Sequence, residues 1–181
     1  MTKRIMLTTI TTLFLVGCGT GGTQTKQTQT SPGQYNLWEY MTPSNSNTNT
    51  FKLSSSSVNS TYKSTYSVTT NRVTEVADYA QDEKTIYEKD SDKIIVRFEK
   101  GGKANGTYAL KLTANINDIV TVRNSSCKLT HHYPTFSIAG KSFDDVIEIT
   151  CGTTPGYYQK GIGEVAQKED SSGKSIRVLS N

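Results

Sequence analysis

Long apolar runs are missing from this 181-residue chain except at one place, Ile5 to Val16. That stretch is too short to cross a bilayer as a helix and it sits at the N-terminus, which excludes a multi-pass membrane protein. Histidine is scarce: the only two, His131 and His132, are adjacent. Neighbours on a strand point to opposite faces, so the two do not form a ligand pair, and no second histidine-bearing segment exists to complete a metal site or an acyl-transfer constellation. Tryptophan occurs once, at Trp38, and proline four times. Beyond the N-terminal run no window of about eleven residues carries apolar side chains at helical spacing, which removes helix bundles and βαβ units.

What is present begins with Lys3 and Arg4, then the apolar run, then small residues, the three-part layout of a secretory signal. Leu15-Val16-Gly17-Cys18 resembles the bacterial lipobox, in which the cysteine thiol receives diacylglycerol and the chain is cut before it. Residues 1–17 are therefore expected to be a signal peptide and Cys18 a lipidated first residue. Two or three acyl chains suffice for stable anchoring, so the membrane is expected as a partner through lipid rather than through a span. The formal charge of +4 includes Lys3 and Arg4, so the part from Cys18 onward carries +2. That modest balance gives nucleic acid no footing as a partner. The residue after Cys18 is Gly19 rather than the Asp that retains lipoproteins in the inner membrane, and by resemblance to that sorting pattern the expected location is the outer membrane, periplasmic face.

Residues 18–34 hold no aliphatic or aromatic side chain and read as a flexible tether. A single β-rich domain is expected over 35–181, opening with the aromatic cluster Tyr35, Trp38 and Tyr40, in which Leu37 to Met41 has room for one helical turn. The tract Pro43 to Thr50 reads as a loop. From Phe51 the dominant period is two. Ile94, Val96 and Phe98 share one face, as do Tyr108, Leu110 and Leu112, and Ile147, Ile149 and Cys151. Further strands are expected at 60–68, 72–79, 85–88, 118–122, 126–131, 163–167 and 174–179, with Gly101 to Gly106 joining two of the clearest as a hairpin. The expected fold is mainly β with little helix: an antiparallel meander forming a curved half-barrel or small barrel, with a sandwich as the second choice.

With Cys18 taken by lipid, Cys127 and Cys151 remain in an oxidising compartment and are expected to form a disulfide, since both fall on the apolar parity of their strands. Gly161-Ile162-Gly163-Glu164-Val165-Ala166 fits the loose dinucleotide pattern and Ser172-Gly173-Lys174-Ser175 the end of a phosphate loop, but neither has the strand–turn–helix context that such loops need. Asp144 and Asp145 are adjacent on a strand and cannot act as a dyad, and the acidic run from Asp82 to Asp92 lacks calcium-loop spacing and reads as a solvated hairpin. No catalytic residue, metal or cofactor is expected.

Tyr157-Tyr158-Gln159-Lys160-Gly161-Ile162-Gly163-Glu164-Val165, following the Val-Ile strand 142–149, together with Leu37-Trp38-Glu39-Tyr40-Met41-Thr42-Pro43, resembles uncharacterised small lipoproteins of epsilonproteobacteria. Those proteins are similar in architecture to the curved-sheet lipoprotein carriers of the periplasm, and the resemblance implies a half-barrel. Tyr157 and Tyr158 suit the two faces of a strand, and with Trp38 they are the candidate contacts at the mouth of a concave sheet. The expected function is a non-catalytic module that binds an apolar ligand or lipid in that sheet. The alternative is an envelope adaptor that binds another protein. An enzyme would require a pocket gathering Asp144 or Glu148 with His131 or His132.

Overall fold

The computed structural model describes residues 33–55, 59–168 and 175–180. The signal segment, Cys18 and the tether up to residue 32 lie outside the described residues, as do 56–58, 169–174 and 181. The elements run β1 (Gln34–Asn36), α1 (Leu37–Met41), β2 (Asn47–Ser54), β3 (Asn59–Thr69), β4 (Arg72–Ala77), β5 (Glu83–Lys89), β6 (Lys93–Lys100), β7 (Lys103–Lys111), β8 (Thr113–Asn115), β9 (Ile119–Val122), β10 (Ser125–Ile138), β11 (Lys141–Cys151), β12 (Thr154–Gln159), β13 (Gly163–Lys168) and β14 (Ile176–Leu179). Twelve strands make one antiparallel sheet in the order β7-β6-β5-β4-β3-β2-β14-β13-β12-β11-β10-β9, and β1 pairs with β8. The sheet curls until its two end strands, β7 and β9, lie against each other, which gives a nearly closed barrel. Across this seam Tyr108 of β7 comes close to Arg123, in the turn that follows β9.

The meander grows from hairpins between chain neighbours, and one pairing departs from that rule. β14 slots between β13 and β2, with Ile176 opposite Ser54, and so joins the run β2–β7 to the run β9–β13. The disulfide links Cys127 and Cys151, which face each other directly across β10 and β11 with Cα atoms 4.2 Å apart.

Three local expectations are corrected. The polar tract read as a loop becomes strand from Asn47, because every residue from Asn47 to Ser54 pairs with β3 and its one inward residue in that stretch, Asn49, is buried opposite Ser64. The turn read over Gly101 to Gly106 is confined to Gly101 and Gly102, and Gly106 is instead a strand residue at φ 151° beside a register shift. β12 is an additional strand despite Pro155 and Gly156: Pro155 stands near the start of the strand, beyond the last β13 pair, so the β12–β13 ladder asks for no N–H from it.

Alternation around the barrel sorts the interior into two parts. Towards α1, the inward residues of β6, β7, β10 and β11, including Ile94, Val96, Leu110, Leu129, Ile147 and Ile149, pack against Leu37, Tyr40 and Met41 of α1. Each such aliphatic side chain taken out of water contributes about 1.5–3 kcal/mol. A second cluster covers the other face of β12–β14. The bulge in β13 turns both Val165 and Ala166 to that face, where they meet Tyr157, Val178 and Phe136 of β10.

A five-residue helix has no stability of its own, so α1 is held by its surroundings. Asn36 caps it, accepting from the Trp38 N–H at 3.2 Å. The chain is tied down on both sides by Leu37 N–H to the Leu112 carbonyl at 2.8 Å and Gly161 N–H to the Glu39 carbonyl at 2.7 Å. The Tyr40 hydroxyl donates to Asp145 Oδ1 at 2.7 Å. Tyr40→Phe should therefore lower the urea midpoint by the equivalent of about 1 kcal/mol, because a charged acceptor loses its donor while staying partly in water. Trp38, the only tryptophan, reports that transition by fluorescence, and an unchanged midpoint would mean that the contact does not hold α1.

Candidate functional site

In an antiparallel meander the turns alternate between the two ends of the barrel. One end carries the β4–β5 loop with Tyr79, the turn at Gly101 and Gly102, and the β9–β10 turn at Arg123 and Asn124; α1 sits at the other. Inside, reaching down to Met41 at the end of α1, is a cavity of about 140 Å³ that the core does not fill. Benzene occupies a cavity of about 150 Å³, so this space suits a single ring or a short chain of carbon. Tyr79 is 72% exposed, with its ring edge-on to Tyr62, which also lines the cavity.

The lining is aromatic and charged. On β4, Val73, Glu75 and Ala77 have the same parity as inward Tyr66 and Tyr87, which places a carboxylate on the apolar face. Its acceptors are engaged by the Tyr66 hydroxyl at 3.0 Å on Oε1 and by the Tyr87 hydroxyl at 3.5 Å on Oε2. On β13 and β14, Arg177 Nε donates to Glu164 Oε1 at 2.9 Å and Arg177 Nη2 to the same oxygen at 2.6 Å, with Gln167 Oε1 also accepting from Nη2. Burial raises the Glu164 carboxyl above its ordinary range, and the Arg177 charge works against that rise. Burial likewise pushes the phenols of Tyr62, Tyr66, Tyr87, Tyr108 and Tyr158 upward, so the lumen offers neutral hydroxyls.

Arg123 completes the lining. It stands in a two-residue turn at φ 49°, followed by Asn124 at φ 61°, the left-handed pair of a tight hairpin. Asn accepts that conformation readily and arginine does not. The guanidinium lies within electrostatic reach of Glu164, Tyr87 and Tyr158, open to water at the rim, and makes no ion pair among the described residues.

The three contacts expected from the sequence do not converge. Tyr158 faces the lumen, its ring lying over Gly156, where a Cβ would come within 3.0 Å of the Tyr158 hydroxyl. Tyr157 faces away and stacks on Phe136 with ring centroids 4.2 Å apart. Trp38 borders an outer groove of about 510 Å³ beside α1, with Pro43, Val68 and Lys160. Cys127 and Cys151 form their bridge at the first core cluster.

Each histidine finds a carboxylate. His132 Nε2 is 2.7 Å from Asp145 Oδ1, and His131 Nδ1 is 3.4 Å from Glu148 Oε1. Glu148 is the more enclosed, receiving the hydroxyls of Thr130 at 2.6 Å, Thr150 at 3.1 Å and Tyr133 at 2.8 Å. Burial alone would raise its carboxyl; these donors together with the His131 charge outweigh burial and hold it below the ordinary range. Neither histidine borders the lumen or the Trp38 groove. Among the described residues no three His, Cys, Asp or Glu side chains gather as a metal-ligand set. The acidic hairpin is tied by surface ion pairs, Glu83 to Lys100 at 2.6 Å and Glu88 to Arg97 at 2.8 Å.

No known family, characterised protein or solved structure matches this chain. The lumen residues themselves therefore carry the functional reading.

Sequence pattern alone missed Glu75, Arg123, Glu164 and Arg177. A signal existed for two of them: Glu75 alternates with Val73 and Ala77, and Arg177 alternates with Leu179. Charge on the apolar parity of a strand is the mark of a polar lumen.

Proposed function

We propose that this chain is a lipid-anchored protein of the bacterial outer membrane, facing the periplasm, that binds a small molecule inside its barrel without transforming it. The observation that carries the reading is the unfilled lumen, closed towards α1 and lined on the other side by rings and by charge. An apolar body fits among the rings of Tyr87, Tyr108 and Phe98, while the charged groups favour a ligand with polar ends over a plain hydrocarbon. Both histidines are engaged with carboxylates away from the cavity, which supports binding over catalysis.

The test is native mass spectrometry of the chain from Gly19 onward, exported behind a cleavable leader and purified without detergent. Every described element lies beyond Gly19, so none is removed. The expected result is a stoichiometric added mass that disappears on denaturation. A bare mass under conditions that keep known carrier complexes intact would count against the reading.

A second reading, the envelope adaptor, draws on the open groove beside Trp38. It predicts a stoichiometric protein partner on gentle solubilisation of membranes, lost in Trp38→Ala while the native mass of the lumen complex stays unchanged.

A further inference from the structure

The charges in the lumen do not cancel where they stand. Arg177 binds Glu164 directly, and both Glu75 and, from the turn at the rim, Arg123 act on that carboxylate at longer range. Arg123 itself makes no ion pair among the described residues, so the rim is a positive pole, holding a cation without a directly bound carboxylate. On β4, four strands from β13 in the sheet order, Glu75 is held by the Tyr66 and Tyr87 hydroxyls and makes no ion pair among the described residues. Neutral phenols supply hydrogen bonds and no opposite charge, so this wall is a negative pole. Both poles line the same cavity of about 140 Å³.

Each pole is costly as it stands. A carboxylate on an inward position loses hydration that hydroxyl donors replace only in part. Arg123 occupies a left-handed backbone position suited to Asn or Gly. On the β2–β3 wall there is also an orphan donor: Asn49 is 2% exposed, its Nδ2 has no hydrogen-bond partner, and it stands opposite Ser64, which lines the cavity.

We propose that the lumen takes a small zwitterion, with an ammonium group against Glu75, a carboxylate against Arg123, and a short carbon body between the rings of Tyr87, Tyr108 and Tyr158. The proposal rests on the lumen being a ligand site and adds the charge class of the ligand. Each charged end gains a charge-assisted hydrogen bond in the lumen, so losing either end should weaken binding by about tenfold or more.

Isothermal titration of the chain from Gly19 onward tests this with ω-amino acids from β-alanine to ε-aminocaproate, each set beside the n-alkylamine and the n-alkanoate of equal length. The expected result is that at least one ω-amino acid binds about tenfold or more tightly than both of its partners. Glu75→Gln should then reduce it to the affinity of the acid, and Arg123→Gln to that of the amine. Arg123 lies at the exposed rim, so its variant keeps the wild-type melting temperature and stays readable even where Glu75→Gln weakens the fold. An amine or an acid that binds as tightly as the amino acid overturns the zwitterion and leaves the small-molecule reading standing. Absence of binding across all three series also overturns it, and the native mass then decides separately whether the lumen holds any ligand.

Discussion

Arg177→Met is expected to lower stability at neutral pH by about 3–5 kcal/mol, because it leaves the Glu164 carboxylate in the lumen without its direct cation. The two side chains are only 16% and 22% exposed, so water compensates little of the loss. For a domain of this size the melting temperature should fall by about 10 °C or more. The deficit should depend on pH in a definite direction. Burial already raises the Glu164 carboxyl in the native chain, so the folded state holds this proton more tightly than the unfolded one. The group is therefore least costly at low pH, and its contribution to stability declines as pH rises from the ordinary carboxylate range through the raised value. Removing Arg177 takes away the main influence opposing that rise, so the gap between variant and wild type should be widest at neutral pH and should narrow on acidification. The native Glu148 and Asp145 carboxyls behave in the opposite sense. Both are held low, so their contribution is present above the ordinary carboxylate range and is lost as acid reaches their depressed values. Comparing the two proteins subtracts that shared background. Urea titrations followed by Trp38 fluorescence at several pH values measure the difference, and adding Glu164→Gln to the variant should restore most of the loss at pH 7. A deficit under about 1 kcal/mol, or one that grows in acid, would show that the pair does not hold the lumen wall.

Removing the disulfide has the next largest expected effect. Cys127→Ala with Cys151→Ala opens a loop with a separation of 24 residues, worth about 3 kcal/mol by chain entropy, and the melting temperature should drop by about 6–12 °C. The bridge lies at the edge of the first cluster, with Cys127 only 2% exposed and Cys151 partly buried, so a thiol reductant reaches it more slowly in the folded chain than once β10 and β11 open. Native protein at moderate temperature should therefore keep its bridge for long periods in dithiothreitol, while heated protein in the same reductant should unfold at the temperature of the double variant. Differential scanning calorimetry with and without reductant reads both. Coincident curves for all three samples would mean that the covalent link adds nothing beyond the ladder it spans.

Much of the fold is legible in the chain wherever the inward positions are apolar. Ile94, Val96, Leu110, Ile147 and Ile149 announce their strands by alternation, and Cys127 and Cys151 fall on the same parity as those neighbours, so their pairing follows. The single helical turn from Leu37 to Met41 is legible too. The failures share one cause. Alternation is detected as apolar against polar, and around the lumen both classes point inward. Asn49 and Ser64 are buried polar residues, so β2 begins inside a tract that reads as loop. Glu75 and Arg177 sit on the apolar parity and look like interruptions. β12 is hidden by Pro155 and Gly156, ordinary turn markers, of which the second leaves room for the Tyr158 ring above it. The position of Arg123 follows from the β9–β10 turn together with closure at the β7–β9 seam, and no local pattern reports either.

The placement of β14 bears on how this protein is assembled. The runs β2–β7 and β9–β13 are each built from neighbouring hairpins, contacts that form early and quickly. The ladder that unites them pairs Ser54 with Ile176, and it must wait until both runs exist. Until then β2 and β13 are both open edges, each a template for pairing with a neighbouring molecule. During synthesis the two half-sheets are thus exposed to mispairing for as long as β14 is not in place. The lipid anchor proposed above would, if present, help in this interval by spacing the chains apart.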